Sequence, residues 1–187
     1  MKKNEQTKHV AVYCSAASGL PAEWIDAARQ VGRVIGESGA TLVYGGVDAG
    51  LMREVAEAVK ATGSGKVIGV VPARRAAMAC QLNDVRIDTN GLDDRKAAMQ
   101  EMADVFVVLP GGYGTLDELT GAMAYLRFND VSGKKILLYN PNGLYDSLLA
   151  LFDTMISRGV MNRASLDDLV IVETTDQLTA TLRQLIS

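Results

Sequence analysis

Val105-Phe106-Val107-Val108-Leu109-Pro110-Gly111-Gly112-Tyr113-Gly114-Thr115-Leu116-Asp117-Glu118 is the stretch on which the fold turns. It opens as an apolar, valine-rich run without polar alternation, the pattern of a strand covered on both faces. A proline and three glycines end the run. Beyond them Leu116, Leu119, Met123 and Leu126 recur at three- and four-residue steps, which makes one apolar face of a helix. Strand, glycine-rich turn and helix form one unit of a βαβ chain, and such units build a parallel sheet.

Working outward, similar short runs stand at His9 to Cys14, Thr41 to Tyr44, Lys66 to Val71, Asp84 to Asp88 and Lys135 to Tyr139, so six strands are expected in all. Helical spacing fills the gaps. Trp24, Ala27, Ala28, Val31, Val34 and Ile35 predict a helix that starts near Pro21 and stops before Gly39. Leu51, Val55, Ala58 and Val59 predict another; Leu144, Leu148, Leu151 and Met155 a further one; and a last helix follows Thr175. No linker, low-complexity segment or internal repeat interrupts the alternation. The expectation is a single domain over residues 1–187, a Rossmann-like, doubly wound parallel sheet with helices on both faces, with 1–7 a disordered tail.

Composition narrows the function. The chain has 187 residues, 48% of them apolar, and a net charge of −3 with basic residues scattered along it. There is no basic stripe of the kind that follows a phosphate backbone, so nucleic acid is not an expected partner. Cys14 and Cys80 are too isolated for a disulfide framework or a zinc site, and His9 is the single histidine. No metal and no cofactor are expected. The start, Met1 to Gln6, is polar and lacks the long apolar core of a signal peptide, and no membrane segment is seen, so a cytoplasmic location is expected.

Ligands of such sheets bind beyond the carboxyl ends of the strands. Two loops there are glycine-rich: Tyr44-Gly45-Gly46-Val47-Asp48-Ala49-Gly50-Leu51-Met52 and the Pro110 to Glu118 segment. Glycines at these places let the backbone approach a ligand and take positive φ, and the helix N-terminus that follows offers free N–H groups to an anion. A phosphate suits that arrangement, with the Thr115 hydroxyl as a further donor and the Glu118 carboxylate about one turn further in. The P-loop pattern is absent, and Gly63-Ser64-Gly65-Lys66 reads as a helix stop before a strand. Gly112-Tyr113-Gly114 lacks the third glycine of the dinucleotide fingerprint and does not open the fold. A plainer reading stands beside this one: glycines at strand-to-helix turns are common, Arg95 and Lys96 fit the exposed start of an amphipathic helix, and Glu118 fits a first-turn acid favoured by the helix dipole.

Pro110-Gly111-Gly112-Tyr113-Gly114-Thr115 followed by Asp117-Glu118 resembles the PGGxGTxxE signature of the LOG family of cytokinin-activating phosphoribohydrolases. The resemblance extends to Gly45-Gly46 with Gly50-Leu51-Met52, to Gly69-Val70-Val71-Pro72, and to Arg95-Lys96 with Met99. Members with these motifs have often been labelled lysine decarboxylases, but no lysine here has the context of a pyridoxal phosphate site. The resemblance implies hydrolysis of the N-glycosidic bond of a nucleoside 5′-monophosphate, a cytokinin riboside monophosphate or an AMP-like nucleotide, to free base and ribose 5-phosphate. It implies Arg95 and Glu118 as the catalytic pair. Substrate contacts would fall on Gly46, Met52, Lys96, Gly111, Gly112, Tyr113, Gly114 and Thr115. It also implies a homodimer.

Several positions depart from the family's pattern. The first strand ends Cys14-Ser15-Ala16 where Cys-Gly-Ser is usual; Val47 and Arg53 replace glycines; Ala124, Tyr125 and Arg127 replace Thr, Trp and Gln. No glutamate occurs between Pro72 and Arg95, where members carry one that contacts the substrate, and Gln81 is the substitute the segment offers. The expectation is that these positions surround the pocket and alter base preference. The alternative is a non-catalytic nucleotide- or molybdenum-cofactor-binding module of the same superfamily, which would keep the phosphate loop without needing an Arg-Glu pair.

Overall fold

The computed structural model describes residues 7–187, so the expected tail lies, apart from Thr7, outside them. The order is β1 (His9–Tyr13), α1 (Ala22–Glu37), β2 (Thr41–Tyr44), α2 (Gly50–Ala61), β3 (Lys66–Pro72), a 3-10 turn (Ala73–Met78), β4 (Val85–Thr89), α3 (Leu92–Met102), β5 (Val105–Val108), α4 (Tyr113–Phe128), β6 (Lys135–Tyr139), α5 (Asp146–Ser157), β7 (Leu169–Val172) and α6 (Thr175–Ile186). The strands form one parallel sheet in the order β4-β3-β2-β1-β5-β6-β7.

Alternation along the strands builds two cores. Val10, Val12 and Cys14 face α1, α2 and α6, where Val31, Ile35, Leu51, Val55 and Leu182 are buried. Ala11 and Tyr13 face the other side, against Met99 of α3, Leu119 and Ala122 of α4, and Tyr145 before α5. Both faces of the sheet are thus covered by helices, which is why its strands read as unbroken apolar runs. The expected Rossmann-like, doubly wound sheet is present.

Two expectations are corrected. Among the described residues there are seven strands, not six: β7, the apolar run Leu169–Val172, pairs with β6 at the sheet edge, and four residues are too few for periodicity to tell a strand from a helical segment. In α5 the expected face is only partly met, since Leu148 packs against the core and Met155 is half-buried. Leu144 precedes the helix, Leu144 and Leu151 are exposed, and Phe152 is the residue α5 buries. A helix carrying apolar residues around most of its surface does not disclose which of them faces the sheet.

The chain runs outward from β1 to β4, then returns to lay β5 beside β1, with Tyr13 opposite Val108. The connections leaving β1 and β5 go to opposite faces, so a crevice opens between their carboxyl ends. It is closed at the bottom by backbone bonds from Leu109 N to Tyr13 O, 2.9 Å, and from Ser15 N to Pro110 O, 3.1 Å.

Candidate active site

Gly112 stands in extended backbone just before α4, which has no side-chain cap. The first bond of this helix end runs from Leu116 N to Gly112 O, 3.0 Å. The N–H groups of Tyr113, Gly114 and Thr115 therefore have no intrahelical acceptor and face the crevice with the positive end of the helix dipole. Gly111 differs. Its N–H donates to the Tyr145 hydroxyl, 3.1 Å, which in turn donates to Leu109 O, 3.0 Å. Burial pushes that hydroxyl up to about 12, so it remains a donor that ties the loop to the end of β5. A side chain at Gly111 would run into Thr115, whereas Cβ atoms at Gly112 and Gly114 would meet open space.

The expectation of positive φ is met in the first glycine loop and not in the second. Gly46 and Gly50 have φ of 69° and 51°, while Gly111, Gly112 and Gly114 stay on the negative side. Gly46 is held under β3, where a Cβ would lie 2.5 Å from Val71 and 2.9 Å from Gly69. It serves close packing of a loop on a neighbouring strand, and it does not line the crevice.

Arg95 projects from α3 and Glu118 from α4. Arg95 shares a buried face with Met99 one turn on, and Glu118 lies on the buried face formed by Thr115, Leu119 and Ala122. Arg95 Nη2 donates to Glu118 Oε1, and the two side chains are 11% and 4% exposed. Loss of water around the carboxylate dominates and raises Glu118 to about 7, with Arg95 opposing the shift. Near neutrality Glu118 can therefore act in either protonation state. Arg95 Nε and the Tyr13 hydroxyl, both buried, have no hydrogen-bond partner among the described residues. Cys14 lines the same cleft, and Tyr13 is buried beneath it near the charges of Glu118 and Arg95. Burial pushes both the phenol and the thiol up, so neither ionises near neutrality.

Lys96 lies nearer the surface. Its ammonium sits 2.8 Å from Asp117 and 3.3 Å from Asp93, and the Asp117 contact above all holds its pKa up. Together these groups line a cleft of about 410 Å³. Of the residues expected from sequence, it brings together Met52, Arg95, Lys96, Gly112, Tyr113, Gly114, Thr115 and Glu118. Gly46 and Gly111 are not on its surface. Sequence reasoning missed Arg74 and Arg75 of the 3-10 turn and Leu92 of α3, which line it as well. Two adjacent arginines just beyond the carboxyl end of a strand were the available signal.

A family described as "Possible lysine decarboxylase" matches residues 52–182. The cytokinin riboside 5′-monophosphate phosphoribohydrolase of Mycobacterium tuberculosis is 39% identical over 168 residues, which is 88% of this chain and 87% of that protein. The chain belongs to the LOG family. Within it, the rice protein cytokinin riboside 5′-monophosphate phosphoribohydrolase LOG is 37% identical over 161 residues, 84% of this chain and 65% of that protein, so the chain spans about two thirds of the rice relative's length. Among solved structures, the molybdenum cofactor binding protein of Rippkaea orientalis superposes with a TM-score of 0.74 over 97% of this chain and 99% of its own, at 21% identity. The molybdenum cofactor carrier protein of Chlamydomonas reinhardtii gives 0.74 over 96% and 98%, at 20% identity. At these identities the likeness is one of fold.

The departures from the LOG pattern do not all surround the cleft, contrary to expectation. Ser15 and Ala16 line it. Val47 is buried in the core and bridges Ala79. Arg53 pairs with Glu57 at 2.7 Å and Asp48 at 3.6 Å on the surface. Ala124 and Arg127 lie on the outer side of α4, and Gln81 is exposed outside the cleft, so it takes no glutamate's place there.

Proposed function

We propose that this chain hydrolyses the N-glycosidic bond of a nucleoside 5′-monophosphate to the free base and ribose 5-phosphate. The observation that carries the reading is the buried Arg95–Glu118 pair standing about one turn inside the open N-terminus of α4. The 5′-phosphate is held by the N–H groups of Tyr113, Gly114 and Thr115 and by the Thr115 hydroxyl. That anchorage sets C1′ over Glu118. Positive charge grows on the ribose ring as the bond to the base lengthens, and the ionised carboxylate stabilises it. Water adds to C1′ and gives its proton to Glu118; the base leaves with the bonding electron pair and takes that proton back. Glu118 ends the cycle ionised. A group at about 7 suits both transfers. Arg95 acts by charge, holding Glu118 and opposing the negative charge on the departing base.

Cytokinin riboside monophosphates, named for the relatives, and AMP-like nucleotides are the substrate class this reading assigns. The site residues and roles given above belong to the same proposal, as do a cytoplasmic location and a homodimer. No helix among the described residues is long and apolar enough to cross a membrane. The homodimer is supported by apolar side chains on the outside of α4 and beyond α5: Phe128 and Val160 are 83% and 78% exposed and line one hollow with Met123 and Met161. Light scattering tests it, and a monomer overturns it.

The activity is tested by incubating the protein with nucleoside 5′-monophosphates and the matching nucleosides and following free base by chromatography. Base is expected from monophosphates alone, and neither Glu118→Gln nor Arg95→Ala releases it at a comparable rate. Recovery of bound nucleotide unchanged would replace hydrolysis with the binding-module reading.

A further inference from the structure

Two cations of the cleft are engaged neither by its carboxylates nor by a phosphate held on the backbone N–H groups of α4. Its cations are Arg74, Arg75, Arg95 and Lys96, and its carboxylates are Asp117 and Glu118. Glu118 is taken by Arg95 and Asp117 by Lys96. Among the described residues, no carboxylate lies within ion-pair distance of Arg74 or Arg75, and neither side chain makes a hydrogen bond. Nearby arginines are placed otherwise, Arg53 against Glu57 and Arg86 against Asp88.

The two arginines are carried by a tied segment. The 3-10 turn follows Pro72, itself paired with Thr89, and its far end is fastened to the glycine loop after β2. Asp48 N donates to Met78 O at 3.0 Å, Cys80 N to Gly46 O at 2.8 Å, and Val47 bridges Ala79. The position of the arginine backbone is therefore set before a ligand arrives, which lowers the ordering cost of binding.

Their place along the cleft decides what they meet. β3, which leads into the turn, and β5, which leads into α4, are separated by β2 and β1. Three strand spacings amount to about 14 Å. Arg95 and Glu118 lie between, because α3 packs against α4 on one side and against β3 and β4 on the other. With the phosphate at α4 and C1′ at Glu118, what extends toward Arg74 and Arg75 is the base, lying along Met52 and Leu92.

We propose that Arg74 and Arg75 form a second anion subsite that binds an acidic group on the base, so that the substrate class is a nucleoside 5′-monophosphate whose base bears a carboxylate. This rests on the nucleotide reading of the cleft. Guanidinium groups are suited to a carboxylate because they present paired N–H donors in one plane.

Two matched pairs test it: orotidine 5′-monophosphate against uridine 5′-monophosphate, and N6-succinyl-AMP against AMP. The first pair differs by one carboxylate and the second by a succinyl group that bears two, so the quantity read is the ratio of kcat/KM within a pair, at physiological salt. For the unaltered protein the ratio favours the acidic member by on the order of 10-fold, the scale of charge-assisted hydrogen bonds. It falls to about one in the Arg74→Gln, Arg75→Gln double variant and is retained in Arg53→Gln, which removes a charge outside the cleft. No preference in the unaltered protein, or a preference that survives the double substitution, overturns the subsite. If no nucleotide releases base, hydrolysis fails as a reading, and the same ratios taken from Kd by calorimetry still decide the subsite.

Discussion

Arg95 of α3 and Glu118 of α4 meet across a helix–helix contact 23 positions apart in sequence, and both side chains are almost wholly buried. The neighbouring pair, Lys96 with Asp117, leaves its carboxylate 54% exposed. Burial separates the two: the inner pair is dry enough for its charges to act strongly on a substrate, and the outer pair is screened.

Removing either inner partner leaves the other buried and unpaired. Arg95→Ala is expected to destabilise the fold by about 3 kcal/mol and to lower kcat by on the order of 10²–10³-fold. Glu118→Gln is expected to lose as much activity, and the double variant to be little worse than either single one because the residues act as a unit. Steady-state kinetics with thermal melts distinguish this from loss by unfolding alone.

The Glu118 carboxyl sets a pH dependence. Its folded value, about 7, stands above its ordinary 4.5, so the ionised form needed to activate water is lost as pH falls through about 7. The acid limb of the kcat/KM profile should have unit slope there and vanish in Glu118→Gln. Stability runs the other way. A raised value means the folded state holds the proton more tightly, so the stabilisation from Glu118 is complete below pH 4.5 and is lost as pH rises to about 7. Chemical denaturation should show the unaltered protein losing ground to Glu118→Gln across that interval.

Glycines of the phosphate loop are predicted to divide by packing. Gly111→Ala forces a methyl group against Thr115 and should cost stability and raise KM together. Gly114→Ala points its methyl into open space at the start of a helix, so it should leave stability unchanged or raise it by up to about 1 kcal/mol. Melting curves and KM for AMP read both.

Tyr145→Phe removes a hydroxyl that accepts from Gly111 N and donates to Leu109 O. Two backbone groups then lose their partner, at about 1–2 kcal/mol in stability. Because the freed loop carries the proposed phosphate donors, KM should rise more than kcat falls. Equilibrium denaturation and kinetics measure the two effects separately.

Tyr13→Phe should behave in the opposite sense. Its hydroxyl is buried without a partner, so its removal is expected to leave stability equal or higher by about 1 kcal/mol. Stacking on Phe106, with ring centroids 6.0 Å apart, is retained by either ring. Differential scanning calorimetry gives the answer.

The strands from β1 to β6, the glycine turns and the Arg95–Glu118 pair were legible in the chain. Apolar runs and helical spacing are local, and the PGGxGTxxE string carries the candidate Glu118 within it. β7 was not legible because four apolar residues, Leu169 to Val172, are too few for periodicity to tell a strand from a helical segment, and only pairing with β6 makes them one. Gly46 and Gly111 were read as ligand contacts, since a glycine demanded by a ligand and one demanded by a neighbouring strand or side chain look alike in sequence.

By itself the sequence determined the parallel α/β sheet and the family and singled out Arg95 and Glu118 as the candidate pair, because periodicity and motif are written in consecutive residues. Tertiary structure alone decided which groups share a cleft. Sheet order brings the arginines after β3 into line with the helix after β5, across strands remote in sequence. It also decided charge state: Glu118 stands near 7 because helices and sheet exclude water from it, and burial is a property of the packed chain.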